Sequence, residues 1–269
     1  MIYNTGETEE ELKAKYNPEG SVLRKAQLRM LDMLIYIDKV CKEQNIEYCL
    51  EAGNVLGAVR HGGFIPWDDD VDIILRRTEY NRLCKYLIEH PHPQYVLQTP
   101  DTDPYFSFHW NILRDTKSEF IQKNKLAKIR KYHGLQIDIF PIEKNINPFL
   151  KSIMRFSNKC ITGEIIKRVP KIGRFLFMIE RYLSIPLCRF ISPFLATKNN
   201  KKYTYAYGIK WDTKYDENII YPVRDIQFEG YTFKGPNKPI EYLKTLYGNY
   251  MELPPKDARN HHKAVCKVY

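Results

Sequence analysis

The sequence lacks several features that would place it in other classes of protein. Six cysteines occur in 269 residues, but they form no C-x-x-C pair and have no ordered spacing with histidine. We therefore predict reduced thiols in a cytosolic protein, with no zinc site. No uncharged run reaches the roughly 20 residues that a membrane-spanning helix needs. The stretch Glu7–Glu11 is acidic where a signal peptide would be basic and then apolar, so no signal peptide is predicted.

Acidic residues are outnumbered by basic ones. The chain has 42 Lys and Arg against 32 Asp and Glu, a net charge of +10, which suggests an anionic partner. The anionic partner could be nucleic acid, anionic lipid or a nucleotide-linked donor. No DNA or RNA recognition motif is present, which argues against nucleic acid. A hydrophobic content of 43% predicts a globular chain with a substantial core in one or two domains.

A run of aspartates before an apolar, β-branched stretch indicates which chemistry the protein performs. Asp70 and Asp72 alternate with Val71 ahead of Ile73–Leu75, which predicts a loop that ends in a strand. Side chains two residues apart on a strand share a face, so these two carboxylates would project together. They would repel each other unless a cation lay between them. Because Mg²⁺ prefers oxygen ligands and substrate phosphates, the run predicts a metal site for phosphoryl chemistry.

A solvated acidic loop and a calcium-binding loop are the alternatives. Short charged runs are usually exposed, so the first alternative stays open on the residues alone. The acidic positions from Asp68 to Glu79 have the spacing of EF-hand ligands, but Ile73 occupies the position where that loop needs glycine. We therefore reject calcium. Upstream, Gly53 predicts a turn that opens a short helix, whose first backbone N–H groups can bind a phosphate.

A second acidic position lies within His133–Ile142. Ile137 and Ile139 flank Asp138, so on a strand the carboxylate would face away from both. A lone aspartate in an apolar strand is costly unless it is paired or bound to a cation. It is either an edge-strand residue that faces water, or a third carboxylate that meets the first two across neighbouring strands.

Sequence periodicity predicts the other elements. They are an amphipathic helix over 21–45, a strand over 46–50, a helix over 79–90, strands over 95–98, 106–114, 118–121 and 137–142, a hairpin over 223–233 turned by Gly230, a helix over 239–247 ended by Gly248, and a polar turn at His261 and His262. We predict three regions: a catalytic core over 1–147, a basic amphipathic helical insertion over 148–202, and a C-terminal segment over 203–269 that packs on the core.

The insertion combines basic and apolar residues. We predict a pair of helices interrupted near Pro170 and near Pro186. Basic amphipathic helices can lie on anionic membrane surfaces. The alternative is a helical subdomain with solvated Lys and Arg side chains. The predicted location is the cytoplasm. If the insertion binds membrane, the protein would lie peripherally at the inner face of the cell membrane.

These motifs together resemble one known family. The stretch Gly53–Asp72 is similar to the signature of LicD-family proteins, which belong to the DNA-polymerase-β-like nucleotidyltransferase superfamily. Asp138–Pro141 matches the D-I-F-P string of the family's second motif, and Tyr247–Pro255 is similar to its closing segment. The resemblance covers about residues 23–262 and is weakest over 148–215. It implies an α+β, polymerase-β-like nucleotidyltransferase fold with a mixed β-sheet, packed helices and an inserted basic helical region.

The family includes bacterial phosphocholine transferases and is related to the fukutin group of ribitol-phosphate transferases. The resemblance implies a metal-dependent phosphotransferase that moves a phospho-alcohol group from a CDP-linked donor to a hydroxyl of a cell-surface glycan or glycolipid, and releases CMP. Such acceptors occur in lipopolysaccharide, capsule and teichoic acid. The alternative is a nucleotidyltransferase that uses a nucleoside triphosphate, because the same carboxylates serve both reactions.

Candidate site residues follow from the motifs and from this chemistry. The predicted catalytic residues are Asp70, Asp72 and Asp138, and the predicted ligands of Mg²⁺ or Mn²⁺ are Asp68, Asp70, Asp72 and Asp138. Either Asp138 or Asp72 would take the proton of the acceptor hydroxyl. The predicted substrate contacts are Gly53, Asn54, Arg60, His61 and Arg114. Asn54 stands where the wider superfamily commonly has Ser or Thr, and a structural hydrogen bond is the alternative role for His61.

Overall fold

A six-stranded mixed sheet organises the fold in a computed structural model that describes residues 3–121, 127–195, 201–259 and 265–269. In chain order the elements are α1 (Glu9–Tyr16), α2 (Val22–Glu43), β1 (Cys49–Leu50), α3 (Ala52–His61), β2 (Asp72–Arg76), α4 (Arg77–Glu89), β3 (Tyr95–Gln98), β4 (Asn111–Asp115), β5 (Ser118–Ile121), β6 (Gln136–Glu143), α5 (Pro148–Cys160), α6 (Ile166–Arg168), α7 (Pro170–Ile179), α8 (Ile185–Ile191), β7 (Thr204–Tyr205), α9 (Glu217–Ile220), β8 (Arg224–Phe228), β9 (Tyr231–Gly235), α10 (Pro239–Tyr247) and β10 (Val265–Val268).

The strand order in the main sheet is β1-β2-β6-β4-β3, and β7 adds to the far end of β6. β2 and β6 run parallel, whereas every other pair in this sheet is antiparallel. Ile73, Ile74 and Leu75 of β2 are completely buried, as expected for a strand covered on both faces. The mixed sheet with packed helices agrees with the fold class implied by the resemblance.

Most of the predicted elements are confirmed. The helix over 21–45 is α2, and its Ser21 side chain accepts the backbone N–H of Arg24 as a cap. The helices over 79–90 and 239–247 are α4 and α10, and the strands over 95–98 and 118–121 are β3 and β5. The hairpin over 223–233 is β8 and β9, and its turn residues Glu229 and Gly230 both have positive φ.

Two predicted strands are shorter than expected. The strand over 106–114 begins only at Asn111. The backbone before it bonds to the helical insertion and not to the sheet, since Arg181 donates to the carbonyl oxygen of Phe108 at 2.8 Å. The strand over 46–50 is reduced to β1. The backbone N–H groups of Ile46 and Glu47 are used by the ends of neighbouring helices, not by the sheet.

The insertion forms a helical hairpin over 148–195, which we call the basic hairpin. Its two arms meet at Val169 before Pro170, as predicted. The predicted interruption near Pro186 was wrong. The chain passes there through a π-helical turn, Glu180–Ser184, and stays helical. Pro186 is the second residue of α8 and directly follows this π-helical turn. Throughout the described ranges, each helix is too short or too polar to cross a lipid bilayer. The predicted polar turn at His261 and His262 lies outside the described residues.

Candidate active site

Two aspartates lie side by side at the centre of the sheet. Asp72 begins β2, Asp138 lies on β6, and the parallel register pairs these residues directly. Because β6 has β2 on one side and β4 on the other, Asp138 is not on an edge strand. The water-facing alternative is therefore excluded. Burial raises the pKa of both paired aspartates, and the negative charge of Asp70, two residues before Asp72, raises them further.

Two neutral donors hold the Asp138 carboxylate. Trp110 Nε1 donates to one oxygen at 2.9 Å, and Gln136 Nε2 donates to the other at 2.7 Å. Burial raises the pKa of Asp138 to about 6, and the bond from Trp110 opposes that shift. These donors fix the orientation of the carboxylate without supplying a positive charge. The nearby charge of Arg114 lowers the pKa of Asp138, and a bound cation would add further positive charge.

Asp68, Asp69 and Asp70 form the other half of the acidic cluster. Each offers a carboxylate oxygen, and these oxygens all lie within 4.8 Å of one another. Burial, followed by the charge of Asp70, raises the pKa values of Asp68 and Asp72 well above the usual range. Crowded, oxygen-only ligands with raised pKa values fit Mg²⁺ or Mn²⁺. Asp69 was not among the predicted ligands.

The first turn of α3 supports the acidic cluster. Asn54 Oδ1 accepts the backbone N–H of Asp72 at 2.7 Å, so this predicted substrate contact positions a carboxylate-bearing strand. A Cβ atom at Gly53 would lie 2.8 Å from Asp68 Oδ2, and the glycine therefore leaves room for that side chain. The predicted glycine turn is part of the helix, because α3 already begins at Ala52.

A buried glutamate that the motifs did not single out lies beside the cluster. Glu51 is 1% exposed and accepts hydrogen bonds from the hydroxyls of Tyr205 and Tyr242. Burial raises the pKa of Glu51 to about 7, and the two tyrosine bonds oppose this. The Tyr242 oxygen also accepts the backbone N–H of Ala52 at 3.1 Å. The hydrogen bonds among Glu51, Tyr242 and the Ala52 N–H therefore fix where α3 starts. The charge of Glu51 also raises the pKa of Asp72 further.

Arg60 and His61 end α3 and differ in what they contact. Arg60 donates to the backbone carbonyls of Tyr250 at 2.9 Å and Glu252 at 3.2 Å. Its Nε donates to His61 Nε2 at 2.9 Å, and His61 Nδ1 lies 2.6 Å from a carboxylate oxygen of Glu9. Each ring nitrogen of His61 therefore has a partner, which favours the structural alternative for this residue. Arg60 lines a cavity beside the acidic cluster.

Two cavities meet at the acidic cluster. The tail cavity, of about 860 Å³, lies between α3 and the chain over 247–255. The aromatic cavity, of about 420 Å³, lies between the sheet and the inner side of α5. The residues that line both cavities are Asp70, Asp72, Lys210 and Trp211. The carboxylates of Asp70 and Asp72 therefore border two separate cavities.

Aromatic rings form much of the wall of the aromatic cavity. Phe108 and Trp110 stack with their centroids 4.3 Å apart. The Trp110 ring lies 5.1 Å from Phe140 and 5.9 Å from Trp211. The guanidinium of Arg130 lies 4.4 Å from the centroid of Phe108, so a buried cation borders this aromatic wall.

Polar atoms of the aromatic cavity lack protein partners. Among the described residues, three buried atoms that line it make no hydrogen bond: Ser107 Oγ, Arg130 Nε and Gln136 Oε1. Leaving such an atom unsatisfied costs about 1–3 kcal/mol. A polar ligand with both donors and acceptors would recover much of that cost, so the cavity is suited to a hydroxyl-rich or anionic molecule.

Arg114, a predicted substrate contact, also lines the aromatic cavity. Its Nε donates to Gln98 Oε1 at 2.8 Å, and a terminal nitrogen donates to the carbonyl oxygen of Gly134 at 2.9 Å. Burial lowers the pKa of Arg114 to about 10, and the nearby Asp138 opposes this. The residue therefore remains a cation at neutral pH and adds positive charge beside the carboxylates.

The sequence gives only partial signals for the aromatic cavity. Phe106, Phe108 and Trp110 alternate, which indicates one face of an extended segment. Lys210 and Trp211 lie where the family resemblance is weakest, and no local pattern marks them. Their role depends on the chain returning to the sheet through β7, which a local reading cannot detect.

Comparison with known proteins identifies the family of this chain. Residues 45–163 match the family described as LicD/FKTN/FKRP, nucleotidyltransferase domain. The chain is 30% identical over 267 residues to the lipopolysaccharide cholinephosphotransferase LicD of Haemophilus influenzae, a match that covers 89% of this chain and 96% of that protein. It is 50% identical over 38 residues to the human ribitol 5-phosphate transferase FKRP, which covers 14% of this chain and 8% of that protein.

The similarity to the Haemophilus protein extends over nearly the whole of both chains, and the family match contains Asp68, Asp70, Asp72 and Asp138. This chain therefore belongs to the LicD family and is a transferase enzyme.

Proposed function

We propose that this transferase moves a phospho-alcohol group, phosphocholine or a close analogue, from a CDP-linked donor to a hydroxyl of a cell-surface glycan or glycolipid. The observation that carries the proposal is the meeting of two cavities at one acidic cluster. In-line displacement at phosphorus needs the attacking and leaving oxygens on opposite sides of the reacting atom. The acceptor oxygen forms the new bond to phosphorus, the bond to the CMP oxygen breaks, and CMP leaves.

We propose Mg²⁺ or Mn²⁺ as the cofactor. The residues that would hold it are Asp68, Asp70, Asp72 and Asp138, which supply the oxygen ligands that these ions prefer. When bound, the ion would stabilise negative charge that develops on the transferred phosphoryl group. Asp138 or Asp72 takes the proton of the acceptor hydroxyl. Asp138 is better suited to this role, since Trp110 and Gln136 fix its orientation.

The two cavities differ in what they suit. The tail cavity contains the predicted phosphate contacts Gly53 and Arg60 and is the larger of the two, so we assign it to the nucleotide-linked donor. The aromatic cavity offers ring faces and three polar atoms without partners, so we assign it to the acceptor glycan. Ligand sites are commonly apolar clefts with a few placed polar groups, as here.

Arg130→Met is expected to raise KM for the acceptor by about 10-fold or more and to leave KM for the donor nearly unchanged. The reason is that one charge-assisted hydrogen bond to a ligand contributes about 1.5–3 kcal/mol. The matched variant Tyr247→Ala in the tail cavity should raise KM for the donor instead. Steady-state kinetics with each substrate varied in turn measure both constants. An Arg130 variant that affects donor KM alone would reverse the assignment.

Ligand-dependent stability tests the donor and the metal. CDP-choline or CDP-ribitol at 100 times its Kd should stabilise the protein by about 2.7 kcal/mol by mass action, which is a rise in Tm of at least about 5 °C. We expect this rise with Mg²⁺ or Mn²⁺ and its loss with EDTA. CTP and ATP should give little shift. A metal-dependent shift with a nucleoside triphosphate, accompanied by pyrophosphate release, would instead support nucleotidyl transfer on the same carboxylates.

We further propose that the sheet and α3 form a polymerase-β-like nucleotidyltransferase core, which the description of the matching family supports. We also propose that the reaction takes place in the cytoplasm. The thiols of Cys41, Cys49, Cys84, Cys160 and Cys188 form no disulfide bond, and reduced thiols are usual in that compartment.

A further inference from the structure

The outer side of the basic hairpin carries a row of large apolar side chains that contact little or nothing in the chain. Phe149, Phe156, Phe175, Phe190 and Phe194 are between 65% and 78% exposed. Exposed aromatic residues are unremarkable one at a time, but five phenylalanines in one 48-residue segment call for a partner.

The spacing of these side chains places them on one face of each helical arm. On α5, Phe149, Ile153 and Phe156 follow one another at intervals of four and three residues. On α7, Ile172 and Phe175 are three residues apart, and both are exposed. Residues at these intervals are neighbours on a helix surface. Each arm therefore presents an apolar stripe.

The opposite side of the hairpin is fixed to the catalytic core by polar contacts. Asn158 on α5 lies within hydrogen-bonding distance of His109, at 2.9 Å, and also lines the aromatic cavity. Buried Glu180 lies 3.4 Å from the same histidine. Arg181 donates to Asn111 at 3.0 Å. Because the inner side is occupied in this way, the apolar stripes face away from the sheet.

The charge of the hairpin selects among the partners that could cover these stripes. Residues 148–195 contain nine Lys and Arg but only two acidic residues, Glu164 and Glu180. Glu180 is buried, and the exposed cations near the tip of the hairpin are Lys159, Lys167, Arg168, Lys171 and Arg174. A second copy of this chain would bring like charges together. An anionic lipid surface satisfies both the cations and the apolar side chains.

We propose that the basic hairpin docks on an anionic membrane surface, with its apolar stripes in the interfacial layer and its cations at the lipid headgroups. The helix α5, which carries one stripe, also lines the aromatic cavity through Asn158, and Thr162 in the helical turn that follows α5 lines it too. Docking would therefore place that cavity close to the membrane, where a lipid-linked acceptor would be found. This last consequence rests on the proposed function, whereas membrane docking itself does not.

Vesicle flotation of the full chain tests the proposal. We expect binding to vesicles with about 30% anionic lipid to exceed binding to neutral vesicles by at least about 10-fold at 0.1 M salt. The double variant Phe156→Ser/Phe175→Ser should weaken binding at least about 10-fold to anionic vesicles. Lys171→Glu/Arg174→Glu should do the same and remove the preference for anionic lipid. All these side chains are exposed, so the variants should keep the wild-type Tm.

Matched substitutions outside the hairpin separate this surface from general charge or hydrophobicity. Lys25→Glu/Lys244→Glu makes the same charge change on α2 and α10, and Tyr231→Ser removes an exposed ring from β9. Both should bind vesicles like wild type. Equal binding of wild type and the hairpin variants, or dimerisation through the hairpin without vesicle binding, would overturn the proposal. Transfer to a short water-soluble acceptor should be unaffected by the hairpin variants, so failed docking and failed catalysis are distinguishable.

Discussion

Asp72→Asn is expected to lower kcat by at least about 10³-fold while the protein stays folded. Asp72 lies where β2, α3 and both cavities meet. It pairs with Asp138 across the sheet, and its backbone N–H donates to Asn54. Its side chain lines each cavity. The substitution keeps the shape of the side chain but removes the charge. Activity with saturating donor and Mg²⁺ is the measurement, and retained turnover would contradict the proposed chemistry.

The same variant should change stability in an informative direction. Burial and the neighbouring charges raise the pKa of Asp72, so ionising it costs the folded state free energy. That cost is absent below the unfolded pKa and is present in full above the raised pKa of the folded state. The neutral Asn avoids it, so without metal the variant should melt at or above the wild-type Tm at a pH above that raised pKa. Added Mg²⁺ should raise Tm in wild type and much less in the variant.

Asp32→Asn is the matched control, since Asp32 is an exposed aspartate on α2. It should leave kcat, Tm and the response to Mg²⁺ unchanged. If Asp72→Asn instead lowered Tm by several degrees without metal, Asp72 would be a structural residue whose charge is already compensated within the protein. The loss of turnover would then carry no information about a metal.

The local pattern of the sequence singled out most of the aspartates that the structure brings together, although not Asp69. Alternation placed Asp70 and Asp72 together, and the apolar residues that flank Asp138 required a compensating partner for its charge. What alternation could not supply is strand order and strand direction. The pairing of Asp72 with Asp138 needs β2 and β6 to be parallel neighbours across more than 60 intervening residues. The family resemblance supported only the expectation that these carboxylates meet across neighbouring strands.

The rest of the site was not predictable because it depends on long-range packing. Glu51 precedes a glycine-containing turn and looks like an ordinary exposed residue, yet Tyr205 and Tyr242 approach it from far along the chain and make it a buried group. Arg130 lies in a basic, polar stretch, and its importance arises only because the Phe108 ring and the aromatic cavity surround it. Charge and local periodicity carry no information on the burial of Glu51 or on the surroundings of Arg130.

Gly57→Ala is expected to destabilise the protein by about 2–3 kcal/mol and to lower Tm by about 6 °C. The sign is unusual, since Gly to Ala inside a helix normally stabilises by up to about 1 kcal/mol. A Cβ atom at Gly57 would overlap the backbone carbonyl oxygen of Gly63, where α3 contacts the loop that leads to Asp68. Backbone atoms cannot rotate away from such an overlap as a flexible side chain can.

The loop cannot move outward either, because Glu229 lies on its other side. The Glu229 carboxylate accepts the N–H of Phe64 at 3.0 Å and pairs with Arg24 at 2.7 Å, and its side chain leaves no space beside Gly63. Displacing the loop should therefore also reduce turnover, since Asp68 follows it directly. Gly163→Ala is the control: it lies in a helical turn with nothing near the added methyl group, and its Tm should stay equal or rise. Equal effects of the two substitutions, measured by thermal unfolding, would show that close contact between α3 and the loop is not what makes glycine necessary at position 57.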